Sequence, residues 1–105
     1  LPGPSDLIVE YARATGSVVA ELGMVPNQPL TFAGEDEPRW EDALIAFTWD
    51  KYLKTGDERW PARMAMTKSA IAAMDTIQSV ILDEDGKKRI TKFVVVGASK
   101  RGWTT

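Results

Sequence analysis

Near its end the chain carries an apolar run that delivers one hydroxyl between two glycines: Gly97, Ser99 and Gly102 in "VVVGASKRGW". Three kinds of chemistry use such a stretch. A dinucleotide loop needs later glycines so that the backbone can approach a pyrophosphate at a helix N-terminus. Its spacing would put glycines at positions 101 and 103, where this chain has Arg101 and Trp103, whose side chains would fill the cofactor's space. A nucleophile elbow instead presents a serine on a sharp strand-to-helix turn, with a glycine two residues earlier leaving room. Gly97 meets that need, although the second glycine stands one place late, giving G-x-S-x-x-G in place of G-x-S-x-G. In the elbow reading Ser99 attacks, and the Lys100 N–H faces the developing oxyanion, aided by a helix starting there. The third reading is structural, with Ser99 capping a helix. Lys100 and Arg101 count against it, because cations are unfavourable at a helix N-terminus.

The whole composition limits which of these chemistries the chain can complete. With 105 residues, 44% hydrophobic and 27% charged, it is at most one domain of ordinary globular type. A net charge of −2 gives no electrostatic footprint for nucleic acid. No apolar run approaches the length of a membrane span. The absence of cysteine excludes disulfides and thiolate ligands. The absence of histidine is more telling, since a serine triad needs an imidazole to take the hydroxyl proton near neutral pH. A base for Ser99 must therefore come from outside these residues. Because the chain opens on Leu1 without a charged-then-apolar leader, its own start is expected to have been removed or to lie outside these residues.

The elements that would position Ser99 follow from periodicity and breakers. Ser5 is a natural N-cap for a helix carrying Leu7, Ile8, Tyr11 and Ala12, closed by Gly16. Residues 17–22, β-branched at their centre, predict a strand. Three prolines and two glycines make residues 23–38 a long loop. Pro38 is suited to the first helical position, behind Glu35, Asp36 and Glu37, of a helix ending at Gly56. A further helix restarts after Pro61, with Met66, Ala70, Met74, Ile77 and Ile81 as its apolar stripe, widened by Ile71 and Val80. A polar turn at residues 83–88 then leads to a second strand over residues 90–96. Its continuous Phe93, Val94, Val95 and Val96 read as buried on both faces, as in a parallel sheet covered by helices.

This order predicts an α/β class: part of an α/β-hydrolase-like parallel sheet flanked by helices and ending at the elbow. Two strands cannot complete such a sheet without leaving apolar edges. Residues 1–105 are therefore expected to be a partial domain, completed by the remainder of the domain or by another chain.

Other residues invite a functional reading and a plainer one. Asn27 and Gln28 leave the first strand at the edge where α/β sheets bind ligands, so both are candidate substrate contacts, as is Arg101 beside Ser99. The plainer reading is a loop stiffened by Pro26 and Pro29. Glu35, Asp36, Glu37, Glu41 and Asp42 cluster where a helix begins, which favours acids without any metal, and no metal or cofactor is expected. Trp40, Phe47, Trp49, Tyr52 and Trp60 are expected to pack in a core more than to stack a sugar or peptide. Lys87, Lys88, Arg89 and Lys92 are expected to be a solvated surface.

On these residues the chain resembles the PhoPQ-activated pathogenicity-related proteins. "VVVGASKRGWTT" is close to that family's signature, and "SVVAELGMVPNQPLTF", "FTWDKYLKTGDERWP" and "MTKSAIAAMDTIQ" are similar to its preceding segments in the same order. The resemblance implies an α/β-hydrolase-like fold and a serine hydrolase with an ester-type substrate. It implies Ser99 as nucleophile and Lys100 as an oxyanion donor, with the triad acid and histidine later in the chain. A second oxyanion N–H is implied at or upstream of residues 1–5. The similar late-glycine turn of glucuronoyl esterases implies that the Lys100 cation also meets an anionic substrate or oxyanion. The resemblance further implies a periplasmic or secreted location, and it admits a rival: a non-catalytic binding or signalling protein on the same fold.

Overall fold

The computed structural model describes residues 3–82, 85–87 and 90–105. Three α-helices account for its regular structure: α1 at Asp6–Thr15, α2 at Glu41–Thr55 and α3 at Ala62–Val80. A single 3₁₀ turn, Gly102–Thr104, follows near the end.

α1 and α2 stop where their sequences say they should. Gly16 and Gly56 both adopt the left-handed conformation, at φ 61° and 71°, and donate their N–H groups back to Ala12 and Tyr52. A residue with a Cβ reaches that conformation only with strain, so glycine sets each terminus. The starts are less local. Ser5 makes no side-chain cap bond. Pro38 does not open α2, because Arg39 is drawn out of it into a two-residue antiparallel bridge with Leu30, N–H to carbonyl in both directions at 2.8 and 3.1 Å. The helix begins instead at Glu41.

The expected parallel sheet is absent, and the α/β-hydrolase-like assignment is corrected to a helical one. Among the described residues there is no strand, and residues 17–22 and 90–96 join no ladder. β-branched runs favour strands only where a partner supplies hydrogen bonds and cross-strand packing. Val94 and Val96 accordingly lie open, 92% and 84% exposed, rather than buried on two faces. The turn expected at residues 83–88 is described only at residues 85–87, and Asp83, Glu84 and Lys88 lie outside the described residues, as does Arg89 of the basic run.

What core there is sits between α2, α3 and the loop before α2. Val25, Leu44, Ile45 and Met66 form it, with Phe32 and Ala62 packed alongside. Thr48 is the buried polar member and is fully used. Its hydroxyl donates to the Ile45 carbonyl and accepts the Ala62 N–H at 3.1 Å, so a side chain of α2 satisfies an orphan donor at the start of α3. The rest of the expected α3 stripe is only half-buried, and Ile71 and Val80 are exposed. Phe32, Phe47 and Trp60 close the edge of this core as an aromatic trio with centroids 4.4 to 6.3 Å apart, capped by the Arg39 guanidinium 4.3 Å over the Phe47 ring. These rings pack on one another, as expected. Trp40 and Trp49 stay exposed.

Candidate functional site

The turn after the extended apolar run puts Ser99 in the left-handed region, at φ 55°. Serine reaches this conformation at a steric cost, and such strain persists where surrounding contacts hold it. Two glycines make the tight path possible. A Cβ on Gly97 would stand 2.7 Å from both the carbonyl carbon and oxygen of Arg101, and a Cβ on Gly102 would meet the Gly97 carbonyl oxygen at 3.0 Å. The late second glycine is thus explained by the turn's own closure: a side chain at position 102 would run into the Gly97 carbonyl. Arg101 N–H donates to the Ala98 carbonyl at 3.0 Å, and Thr104 N–H to the Arg101 carbonyl at 2.9 Å.

Ser99 caps no helix, since the 3₁₀ turn starts three residues later behind Arg101 and has no side-chain cap. Nor does a helix begin at Lys100, so the expected macrodipole contribution to an oxyanion site is absent among the described residues. Lys100 N–H lies one residue before the N–H that closes the turn. The Ser99 side chain is exposed.

Five side chains meet beside the two residues that follow this serine, and the carboxylate at their centre is Glu41, the first residue of α2. Lys100 Nζ bonds Glu41 Oε2 at 2.8 Å and Asp42 Oδ1 at 3.1 Å. Arg101 Nη2 donates to Glu41 Oε1 at 3.0 Å. Gln28 binds the same residue twice, its amide N–H donating to Oε1 and its carbonyl oxygen accepting the Glu41 backbone N–H at 2.8 Å. Trp40, at the N-cap position, offers no side-chain cap bond, so Gln28 satisfies an α2 donor from the preceding loop. Glu41 itself has a left-handed φ of 49°. The ammonium of Lys100, then its neighbours Gln28 and Arg101, hold the Glu41 carboxyl down at about 2. The Lys100 ammonium is pushed upward, chiefly by Glu41 and then Asp42. α3 contributes one more fixing point: Arg63 donates to the Lys100 carbonyl at 3.0 Å and lies 4.8 Å over the Trp103 ring.

The sequence-derived candidates therefore separate. Gln28, Lys100 and Arg101 meet at Glu41, the last two of them being the residues that follow Ser99. The Lys100 side chain is only 14% exposed and is occupied by two carboxylates, so its cation is not turned toward an incoming anion. Asn27 goes elsewhere. It lines a cleft of 380 Å³ between the loop and helices α2 and α3, with Val25, Phe32, Trp60 and Met66 among its walls. In the sequence Glu41 reads as a helix-start acid alone. Its role depends on a contact 60 residues away in sequence, which no local pattern carries. No group of acidic side chains among the described residues is arranged to hold a metal.

The class defined so far is a helical segment that ends in a strained serine turn backed by a partly exposed ion-pair network. The chain belongs to the PhoPQ-activated pathogenicity-related protein family, whose family model matches residues 2–105. It is 41% identical over 110 aligned positions to the autocrine proliferation repressor protein A of Dictyostelium discoideum, covering all of this chain and 21% of that protein. The chain thus spans about a fifth of the length of this curated relative. No solved structure matches it. Among the described residues no helix is long and apolar enough to cross a membrane.

Proposed function

We propose that Ser99 is the nucleophile of a serine hydrolase acting on an ester-type substrate. The observation that carries this reading is the left-handed backbone of Ser99, held by the contact between Gly97 and the Arg101–Gly102 peptide. A serine kept in a costly conformation, with its side chain exposed, has the geometry an attacking hydroxyl needs. In this reading Ser99 Oγ adds to the ester carbonyl, and the Lys100 N–H donates to the oxyanion that forms. The hydroxyl proton passes to a base outside these 105 residues, since the chain has no histidine. A fluorophosphonate probe tests the reading on the whole protein. Labelling of the wild type that disappears in Ser99→Ala supports it; equal labelling of both, or none of a folded wild type, overturns it.

A second reading has its own support. The relative is named as a repressor of proliferation, which is a signalling role, not a turnover number. A binding or signalling protein would keep the same turn without catalysis. A folded wild type that stays unlabelled favours this reading.

A further inference from the structure

We infer that Glu41 is a positioning residue for Ser99, clamping the two residues that follow the serine so that its left-handed turn is held without any covalent or helical support. The inference rests on the nucleophile reading for its functional consequence, and on geometry alone for the clamp itself.

The turn needs an external brace. Its internal support is a pair of backbone hydrogen bonds, Arg101 to Ala98 and Thr104 to Arg101, and the 3₁₀ turn after it is three residues long. The run before it, residues 90–96, joins no β-ladder among the described residues. Left to itself, a serine at φ 55° relaxes toward negative φ, because its Cβ then clears the following carbonyl. What opposes this is lateral. Glu41 takes Lys100 on one carboxylate oxygen and Arg101 on the other, so consecutive residues are tied to one rigid group. Gripping two successive side chains with one carboxylate restricts the rotation of the peptide between them. Charge-assisted bonds of this kind are the stronger ones available to a partly exposed site.

Glu41 is in turn fixed from behind. Gln28 holds its carboxylate and its backbone N–H together, and α2 carries it against Leu44 and Ile45 of the core. Arg63 adds a grip on the Lys100 carbonyl from α3. The path from core to serine therefore runs through α2, Glu41 and the Lys100–Arg101 pair. Asp42 supports only the Lys100 side of it and is largely exposed, so it cannot replace Glu41.

Amide hydrogen exchange on the full-length protein reads the clamp directly, and fluorophosphonate kinetics read its consequence. In Glu41→Gln the amides of residues 98–104 should exchange about tenfold faster, while α3 keeps its protection, as expected when charge-assisted bonds are replaced by a neutral one. The maximal labelling rate should fall about tenfold with the half-saturating probe concentration unchanged, a split that general loss of stability does not produce. Lys100→Met with Arg101→Met, which cuts the clamp from the other end, should loosen the same amides. Adding Glu41→Gln to that pair should loosen them no further. Unchanged exchange at residues 98–104 in either variant, or additive loosening in the combination, overturns the clamp. Should Glu41→Gln fail to fold, the Lys100→Met, Arg101→Met protein decides alone. A wild type that is never labelled ends the nucleophile reading, yet exchange still decides the clamp.

Discussion

Replacing Gly97 by alanine drives a methyl group into the Arg101 peptide, 2.7 Å away, where backbone cannot swing aside as a flexible side chain could. The expected cost is about 1–3 kcal/mol of overpacking strain, read as a lower thermal midpoint, together with loss of probe labelling at Ser99. A midpoint and labelling equal to wild type would show that the glycine is not required. Ser99 makes the opposite prediction. Glycine adopts the left-handed region freely, whereas an L residue there costs about 1–2 kcal/mol. Ser99→Gly should therefore be more stable than Ser99→Ala by about 1 kcal/mol, although both abolish any nucleophile. At this scale the sequence was informative: the serine, its flanking glycines, Gln28, Lys100 and Arg101 were all identifiable by type. Glu41 was not, because a clamp between residues 41 and 101 leaves no local signature.

At the scale of elements, helix ends written in glycine were legible and helix starts were not. Gly16 and Gly56 need only their own conformation, which the residue type dictates. The starts of α2 and α3 are settled by side chains from other elements, Gln28 for one and Thr48 for the other. Thr48→Val tests the second of these. It keeps the volume but strands the Ala62 N–H, so it should destabilise by about 1–2 kcal/mol, with the loss of protection concentrated at the start of α3. An unchanged stability would mean that water replaces the hydroxyl there. The two strand expectations failed for a related reason. Apolar β-branched residues mark a segment fit for a sheet, but the ladder is made by a partner, and none is present among the described residues.

Taken whole, the molecule is long for its size. Its radius of gyration is 17.0 Å, against about 13 Å for a compact domain of this length. Among the described residues its buried apolar core is four side chains, and ion pairs add contacts between the segments. Those pairs share one electrostatic sign. Glu41, held by Lys100, and Asp57, held by the Arg59 side chain, are both lowered to about 2, and Glu35 is lowered by Arg39. A carboxyl whose folded value lies below its unfolded one stabilises the fold above the unfolded value and loses that contribution as pH falls through the folded value. For Glu41 the interval runs from 4.5 down to about 2. Thermal unfolding of the full-length protein should then show a gap in midpoint between wild type and Glu41→Gln that is constant at neutral pH and narrows progressively across this interval. Added salt should shrink the neutral-pH gap only partly, because the Lys100 side chain is mostly shielded from solvent. A gap that persists unchanged near pH 2 would mean that the Glu41 carboxylate contributes no charge pairing to the fold, and that Gln28 alone holds the start of α2.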